Sequence, residues 1–468
     1  MTPIIHSNPC CKSELDLFST NLTNTSILSS HYTQHTTAQA FKSTDDTIEI
    51  SVTGTSNYID LNNIYMVSEI NVKKKGSSDD WSDNLKASTI NNLAHSMFKN
   101  VEVSLTVKND DTTITNYDSH YAYKAYLLNL LNYSEESKEG WLKNAFYYKD
   151  TSGQFDNITE QKTETDSQFL STNRRSSSQF TYNESDKKIV IDTKQYNTGY
   201  IDRQNELKVG KGKLKFITPL HVDFLKSNKL LKDGIGMKFK FIRNSNQFCM
   251  MGEDPTEIFL LSLKLLVRKT VISEEVKKAH NNAFKISPIM YPFTTTKMRV
   301  FSINKDVFEN GSGLSLGKIV PNKVIVGLVE HGNMHGDYKL NPFNFKDFGL
   351  QEIFIVTGNN TFTIKLNRYD SDFLDAYHSL CETLDVYGRN RCPIKKEDFL
   401  NGNCLFAFNL SPDKGCMGQF NNIRTADVNL HLQFKTETTT TLKVIVLCEY
   451  DNQISINNDE ELSYAVKI

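Results

Sequence analysis

Two histidines four residues apart, in His331-Gly-Asn-Met-His335, have the spacing with which one helix face offers two imidazoles to a metal. They directly follow the apolar run Val324–Val329, glycines stand at 332 and 336, and no third ligand is close in sequence. A metal site needs three or four donors, so a connection after a strand is the better reading. Cys381, Cys392, Cys404 and Cys416 recur at intervals of 11, 12 and 12 residues. Structural zinc sites use ligand pairs two to four residues apart, so these read as separate buried thiols. Gly311-Ser-Gly-Leu-Ser-Leu-Gly317 has the glycine content of a phosphate-cradling loop, but Lys318-Ile-Val-Pro321 follows where a helix would be needed. Gly210-Lys-Gly-Lys213 lacks the length and the Ser/Thr of a P-loop and reads as a turn into a strand. Asp370 and Asp372 stand where a helix begins, and acids serve there as caps. No arrangement of serine, cysteine and histidine suggests a nucleophile. The expectation is a protein without catalytic, cofactor-binding or metal-binding residues, and not an enzyme.

The composition narrows the class further. The 468 residues include 28 Phe and 20 Tyr, enough for two or three domains with their own cores. Lys and Arg number 53 against 55 Asp and Glu. A protein that coats nucleic acid through its phosphates needs a basic excess or a basic arm. Residues 1–44 carry Lys12 and Lys42 against Glu14 and Asp16, so this arm is neutral and direct nucleic-acid binding is not expected. No run of 18 apolar residues suggests a membrane span, and the first residues lack the pattern of a secretory leader. The eight cysteines form no C-x-x-C pair and read as reduced thiols of a protein made inside a cell. On that reading the sequons at Asn157 and Asn183 carry no glycan.

The elements that would have to position any site are mostly strands. Apolar and polar residues alternate over Thr47–Thr53, Val101–Val107, Ile235–Phe241, Phe362–Leu366 and Val428–Phe434. Such alternation puts one face of a strand on a core. Leu260–Val267 and Leu442–Leu447 are apolar at nearly every position, as central strands of a closed sandwich are. Asp233-Gly234, Asn310-Gly311 and Asn401-Gly402 supply turns. Helical spacing appears over Ser119–Leu131, Ser371–Leu384 and Ser273–Phe284, the last opening with an N-cap serine and two acids.

The order of these elements repeats. A strand leads to Tyr117-Asp118-Ser119 and a helix, and later another leads to Tyr369-Asp370-Ser371 and a helix. Each helix is followed by a strand running into proline, at Pro219 and at Pro412. Each half closes with an alternating strand and then an apolar one. This order describes two copies of one β-sandwich. From Asp118 to Pro219 is 101 residues, against 42 from Asp370 to Pro412. The difference falls mainly in 151–210, whose Ser, Thr, Asn, Asp and Lys predict a surface excursion.

The expected fold is therefore all-β, two tandem jelly-roll β-sandwiches with short inter-strand helices. Its parts are an arm over 1–44, a first roll over 45–272 with a surface insert at about 151–210, a linker helix over 273–287, a second roll over 288–456 and a tail over 457–468.

Particular stretches resemble the major capsid proteins of the Polinton (Maverick)/adintovirus, adenovirus-like group. They are Ser13-Glu-Leu-Asp-Leu-Phe18, Tyr58-Ile-Asp-Leu61, Asn91-Asn-Leu-Ala-His-Ser-Met-Phe98 with Val101-Glu-Val-Ser-Leu105, and Tyr147-Tyr-Lys-Asp-Thr-Ser-Gly153. Asn341-Pro-Phe-Asn-Phe345 and Leu405-Phe-Ala-Phe-Asn-Leu-Ser-Pro-Asp413 follow in the second half. Their order along almost the whole chain carries the resemblance, and 154–209 matches least. The resemblance implies a hexon-like viral coat protein in the virion. Its homotrimer would be a pseudo-hexagonal capsomer that tiles an icosahedral capsid beside penton and minor capsid proteins. Assembly would take place inside the host cell, with the nucleus as the candidate compartment. Under it the insert 151–210 becomes a candidate for the outward tower. The arm with Leu15, Leu17 and Phe18 becomes a candidate for contact with a neighbour or a minor capsid protein. The alternative is a carbohydrate- or receptor-binding β-sandwich of the fibre or adhesin kind. Only Trp81 and Trp141 are present to serve it as sugar platforms.

Overall fold

The computed structural model describes residues 15, 17, 20 and 23–465, apart from 38–41, 43–44, 78–80, 83–84, 109, 116–119, 160–179, 184–187, 192–195, 312, 367–372, 390–392, 414–418 and 460. Beside shorter strands at 87–89, 180–183, 188–191, 230–231 and 250–252, eight make the frame of the first half. They are β1 (Ile27–Thr36), β2 (Thr47–Val52), β3 (Tyr58–Lys74), β4 (Phe98–Val107), β5 (Asp110–Thr113), β6 (Lys213–Pro219), β7 (Gly236–Arg243) and β8 (Thr256–Ile272). Beside a short one at 462–464, eight more make the frame of the second half. They are β9 (Ile289–Ile303), β10 (Leu314–Ile319), β11 (Lys323–Glu330), β12 (Leu350–Thr357), β13 (Asn360–Lys365), β14 (Leu405–Asn409), β15 (Thr425–Phe434) and β16 (Leu442–Ile456).

In the first half one sheet runs β1-β8-β3, with β6 and the short strand Leu230–Leu231 along the far side of β3. The opposing sheet runs β2-β7-β4-β5. In the second half the sheets run β9-β16-β11-β14 and β10-β15-β12-β13. Adding eight to each strand number of the first half gives the second, and every pairing among these strands is antiparallel. Eight strands connected in this order across two facing sheets make a jelly roll, so the chain is two jelly rolls in tandem. β8 and β16 are central strands, as their near-continuous apolar runs require. β2 shows the alternation in its simplest form, with Ile48, Ile50 and Val52 buried and the residues between them exposed.

The connection from β5 to β6 carries α1 (Tyr121–Asn132) and α2 (Thr198–Val209), and α3 (Glu274–Phe284) links the halves. The connection from β13 to β14 carries α4 (Leu374–Thr383), the counterpart of α1. The starts expected for α1 and α4 at Ser119 and Ser371 lie outside the described residues. Ser273 caps α3 by accepting from the Val276 N–H, with Glu274 and Glu275 in the first turn.

Three expectations are corrected. Residues 27–36 of the arm expected over 1–44 are part of the first roll; they form β1, paired with β8 from Ile27–Ile272 to Thr36–Lys264. Residues 462–464 of the expected tail pair with the end of β16. The insert is not wholly a surface excursion, because α2 buries Tyr200, Arg203, Gln204 and Leu207 and Phe155 is buried as well. Polar residues can line a buried helix face when each polar atom finds a partner there. No helix among the described residues is long and apolar enough to cross a membrane.

Candidate functional site at the seam of the two rolls

The motifs singled out by spacing end up apart. His331–His335 is a one-turn helix directly after β11, with the two rings 4.2 Å apart. Among the described residues no three His, Cys, Asp or Glu side chains gather as a metal would need. Cys381 and Cys404 are buried, as are Cys249 and Cys448, whereas Cys10, Cys11, Cys392 and Cys416 lie outside the described residues, with Asp370 and Asp372. Burial pushes the thiols of Cys249 and Cys448 up to about 12. The glycine-rich run is a loop only at its start, since Leu314 to Gly317 already belongs to β10. Gly210 ends α2, and Gly212, at φ +82°, turns the chain into β6. Trp81 is buried, and Trp141 packs edge-on against Tyr133 at 5.0 Å. Trp141 remains 41% exposed, without a second exposed tryptophan among the described residues.

What the fold does bring together is a seam between the rolls, built from residues far apart in sequence. Its apolar part is aromatic. α1 presents Tyr123 and Tyr126, and Phe343 lies between β11 and β12. The Tyr126 and Phe343 rings stack at 3.9 Å with planes 2° apart, and Tyr123 meets Phe343 edge-on at 5.5 Å. Aromatic pairs of this kind contribute about 0.5–1.5 kcal/mol beyond the area they bury. Burial holds the Tyr126 and Tyr123 hydroxyls well above the usual phenol range, so both rings stay neutral. Gly402, at φ +104°, leaves the space in which the Phe155 ring sits; a Cβ there would run into that ring.

The polar part begins at Arg203 on α2. Its Nη2 lies 2.8 Å from Asp150 Oδ1, and both side chains are fully buried. Its Nε donates to Thr89 O and its Nη1 to Tyr148 O. The other oxygen of Asp150 accepts from Asn341 Nδ2 at 3.1 Å, which carries the network into the second roll. Two charges so deep in the protein persist only because their hydrogen-bonding capacity is used. Nearby, Asp156 accepts from the Asn341 N–H at 2.8 Å and from Asn344 Nδ2, and pairs with Lys346 at 3.3 Å. Lys149 bridges Glu135 and Asp398 at 2.9 Å each, and Lys138 donates to Pro393 O.

A second polar contact fastens the edge of the second roll. The turn Asp223–Lys226 follows β6, and Asp223 accepts from the N–H and hydroxyl of Thr296 on β9. Lys124 of α1 pairs with the same carboxylate at 2.8 Å. Phe224 inserts edge-on between Tyr291 and Phe293, at 5.7 and 5.8 Å. Behind it, His95 and His221 are buried with rings 4.7 Å apart. His95 bonds Tyr121 Oη and Thr218 Oγ1 at 3.0 Å each. Burial lowers His95 to about 3 and pushes His221 well below its ordinary value, with the neighbouring His95, Lys226 and Lys124 adding to the latter shift.

Asp156, Asn344 and Lys346 also line an open cavity beside the seam. The buried pairs and stacked rings fasten the two rolls to each other.

No protein-family model matches the chain. It is 23% identical over 454 residues to an uncharacterised protein of Caenorhabditis elegans, covering 93% of this chain and 97% of that one. Among solved structures it is similar to a chain of the Sputnik virophage, with a TM-score of 0.58 at 10% identity over 99% of this chain and 94% of the other. It is also similar to a chain of the PBCV-1 virus capsid, with a TM-score of 0.54 at 9% identity over 96% of this chain and all of the other. The strand order and these whole-length superpositions agree: the chain has the double jelly-roll fold.

Proposed function

We propose that the chain is a structural viral major capsid protein, hexon-like, of the Polinton (Maverick)/adintovirus, adenovirus-like group. Three copies form a pseudo-hexagonal homotrimeric capsomer, and capsomers tile an icosahedral shell in the virion with penton and minor capsid proteins. The observation that carries this reading is the strand-for-strand doubling of an eight-stranded roll over the whole chain, fixed by a buried seam. Structural neighbours drawn from virus particles, one of them a capsid, support it across nearly the full length. So does the run of sequence stretches that resemble that group. In this reading residues 27–272 form the first roll, 273–287 the linker and 288–456 the second roll. No residue is assigned a catalytic, cofactor or metal role.

Capsomer function is association. A permanent trimer buries upwards of about 2,000 Å² per interface, and weaker contacts between capsomers suffice because many act together in a closed shell. Light scattering after gel filtration tests the first step. A species at three times 53.4 kDa, about 160 kDa, is expected, with a pseudo-hexagonal outline by electron microscopy. A monomer at every concentration overturns the reading.

A further inference from the structure

We infer that the cavity beside the seam binds a neutral saccharide. This goes beyond the capsomer reading and does not rest on it, because one copy of the chain supplies the whole wall.

The cavity has a volume of about 490 Å³. Small-molecule sites span about 300–1,000 Å³. Four segments far apart in sequence close around it: 153–157 from the first roll, and 344–349, 400–402 and 438–442 from the second. All of its lining residues are among the described ones. Bonds between the segments fix their positions. Asp156 accepts from the Asn341 N–H and from Asn344 Nδ2, and the Gly153 N–H donates to Asn401 O at 2.9 Å. A wall held in this way does not have to be ordered by its ligand.

The chemistry of the wall selects the ligand by exclusion. An anion would meet the carboxylates of Asp156 and Asp347 against one ammonium, that of Lys346, which already pairs with Asp156 at 3.3 Å. A metal cation would meet N–H donors, since both oxygens of Asp156 accept from Asn341, Asn344 or Lys346. Among the described residues no three ligating side chains gather. A wholly apolar ligand would cover Gln154, Asn344 and Thr440 and take water from their polar atoms without replacing it. A sugar hydroxyl both donates and accepts, and side-chain amides and threonine hydroxyls answer it in both senses. Gln154 accepts from Asn157 through Oε1 at 3.0 Å, and an amide bonded through its oxygen still has two N–H donors to give. Phe348 supplies the one aromatic ring of the wall. The negative face of such a ring suits the C–H face of a pyranose. Phe348 is held at φ +47° and Gly349 at φ +73°. A bulky side chain is uncommon in the left-handed region, and strain of this kind gathers at ligand sites.

Saturation-transfer NMR on the full-length chain tests this with the methyl glycosides of glucose, galactose, mannose and N-acetylglucosamine at millimolar concentration. Glucose 6-phosphate is the anionic control. At least one neutral glycoside is expected to receive saturation, and glucose 6-phosphate none. Phe348→Asn removes the ring and places there a residue type that tolerates φ > 0. It is expected to weaken binding by about tenfold or more, with a thermal melt close to wild type. Gln154→Leu, which keeps the side chain's size and removes its amide, gives the same reading if Phe348→Asn melts early. Silence from all the neutral glycosides overturns the inference, as does equal or stronger binding of glucose 6-phosphate. Binding that is unchanged in both variants overturns the placement in this cavity. The capsomer reading is judged separately, by mass, and survives each of these failures.

Discussion

Asp223 of the first roll holds Thr296 of the second by two hydrogen bonds to one carboxylate, at 2.7 Å from the N–H and 2.9 Å from the hydroxyl. Thr296 lies on an edge strand, so its N–H faces away from β16 and would be left unpaired without Asp223. Lys124 neutralises the carboxylate from the other side.

Replacing Asp223 by Ala should therefore cost more than one ordinary hydrogen bond. It strands the Lys124 ammonium, whose side chain is 11% exposed, and leaves the Thr296 donors unpaired. Breaking one side of a buried ion pair typically costs about 3–5 kcal/mol. Denaturant unfolding should show a loss of this order, with Asp223→Asn intermediate because its carbonyl can still accept from Thr296. A loss below about 1 kcal/mol would mean that solvent reaches the pair and replaces the contact.

Arg203 and Asp150 should behave as a coupled unit. Arg203→Met leaves a fully buried carboxylate without its cation and should destabilise by about 3–5 kcal/mol. Adding Asp150→Asn removes the stranded charge while keeping an acceptor for Asn341, and should restore a substantial part of the loss. A double-mutant cycle read by chemical unfolding checks this; strictly additive losses would refute the coupling.

Acid should weaken the fold through the buried histidines. The folded-state values of His95 and His221 are lowered, so their neutral forms are the ones the native state holds. Their contribution is complete above the unfolded value of 6.5 and is lost as pH falls towards the folded value, about 3 for His95. Because the unfolded chain binds these protons and the native state does not, stability falls as pH drops through that window. Unfolding midpoints measured from pH 7 to pH 5 should fall, and His95→Gln should flatten the fall even if it lowers stability at pH 7. An unchanged slope in that variant would assign the acid sensitivity elsewhere.

Much of the fold was legible because strands and helices are written in local periodicity. β2, β4, β7 and β15 alternate, and α1, α3 and α4 carry helical spacing, so the doubled order could be read directly. β1 was not, since Ile-Leu-Ser-Ser-His-Tyr-Thr-Gln-His-Thr has no apolar alternation and its residues remain largely exposed. α2 was missed for the opposite reason: its buried face includes Arg203 and Gln204, which read as surface residues until Asp150 and Leu85 O are seen to meet them. The seam is a long-range object. Asp150, Arg203 and Asn341 converge across 53 and 191 residues of chain, and no local pattern encodes such a meeting. Two of the stretches that carried the resemblance, Tyr147–Gly153 and Asn341–Phe345, nevertheless supply Asp150 and Phe343 to it.

The edge strand β1 also bears on how the newly made chain behaves. Natural proteins blunt exposed edges with lysine, proline or a covering loop, and β1 contains neither residue. Among the described residues no strand pairs with its outer side, and an edge of that kind is a template on which another extended chain can add. A newly made chain is thus exposed to off-pathway aggregation at a rate that rises with its own concentration, and whatever covers that strand would act as protection.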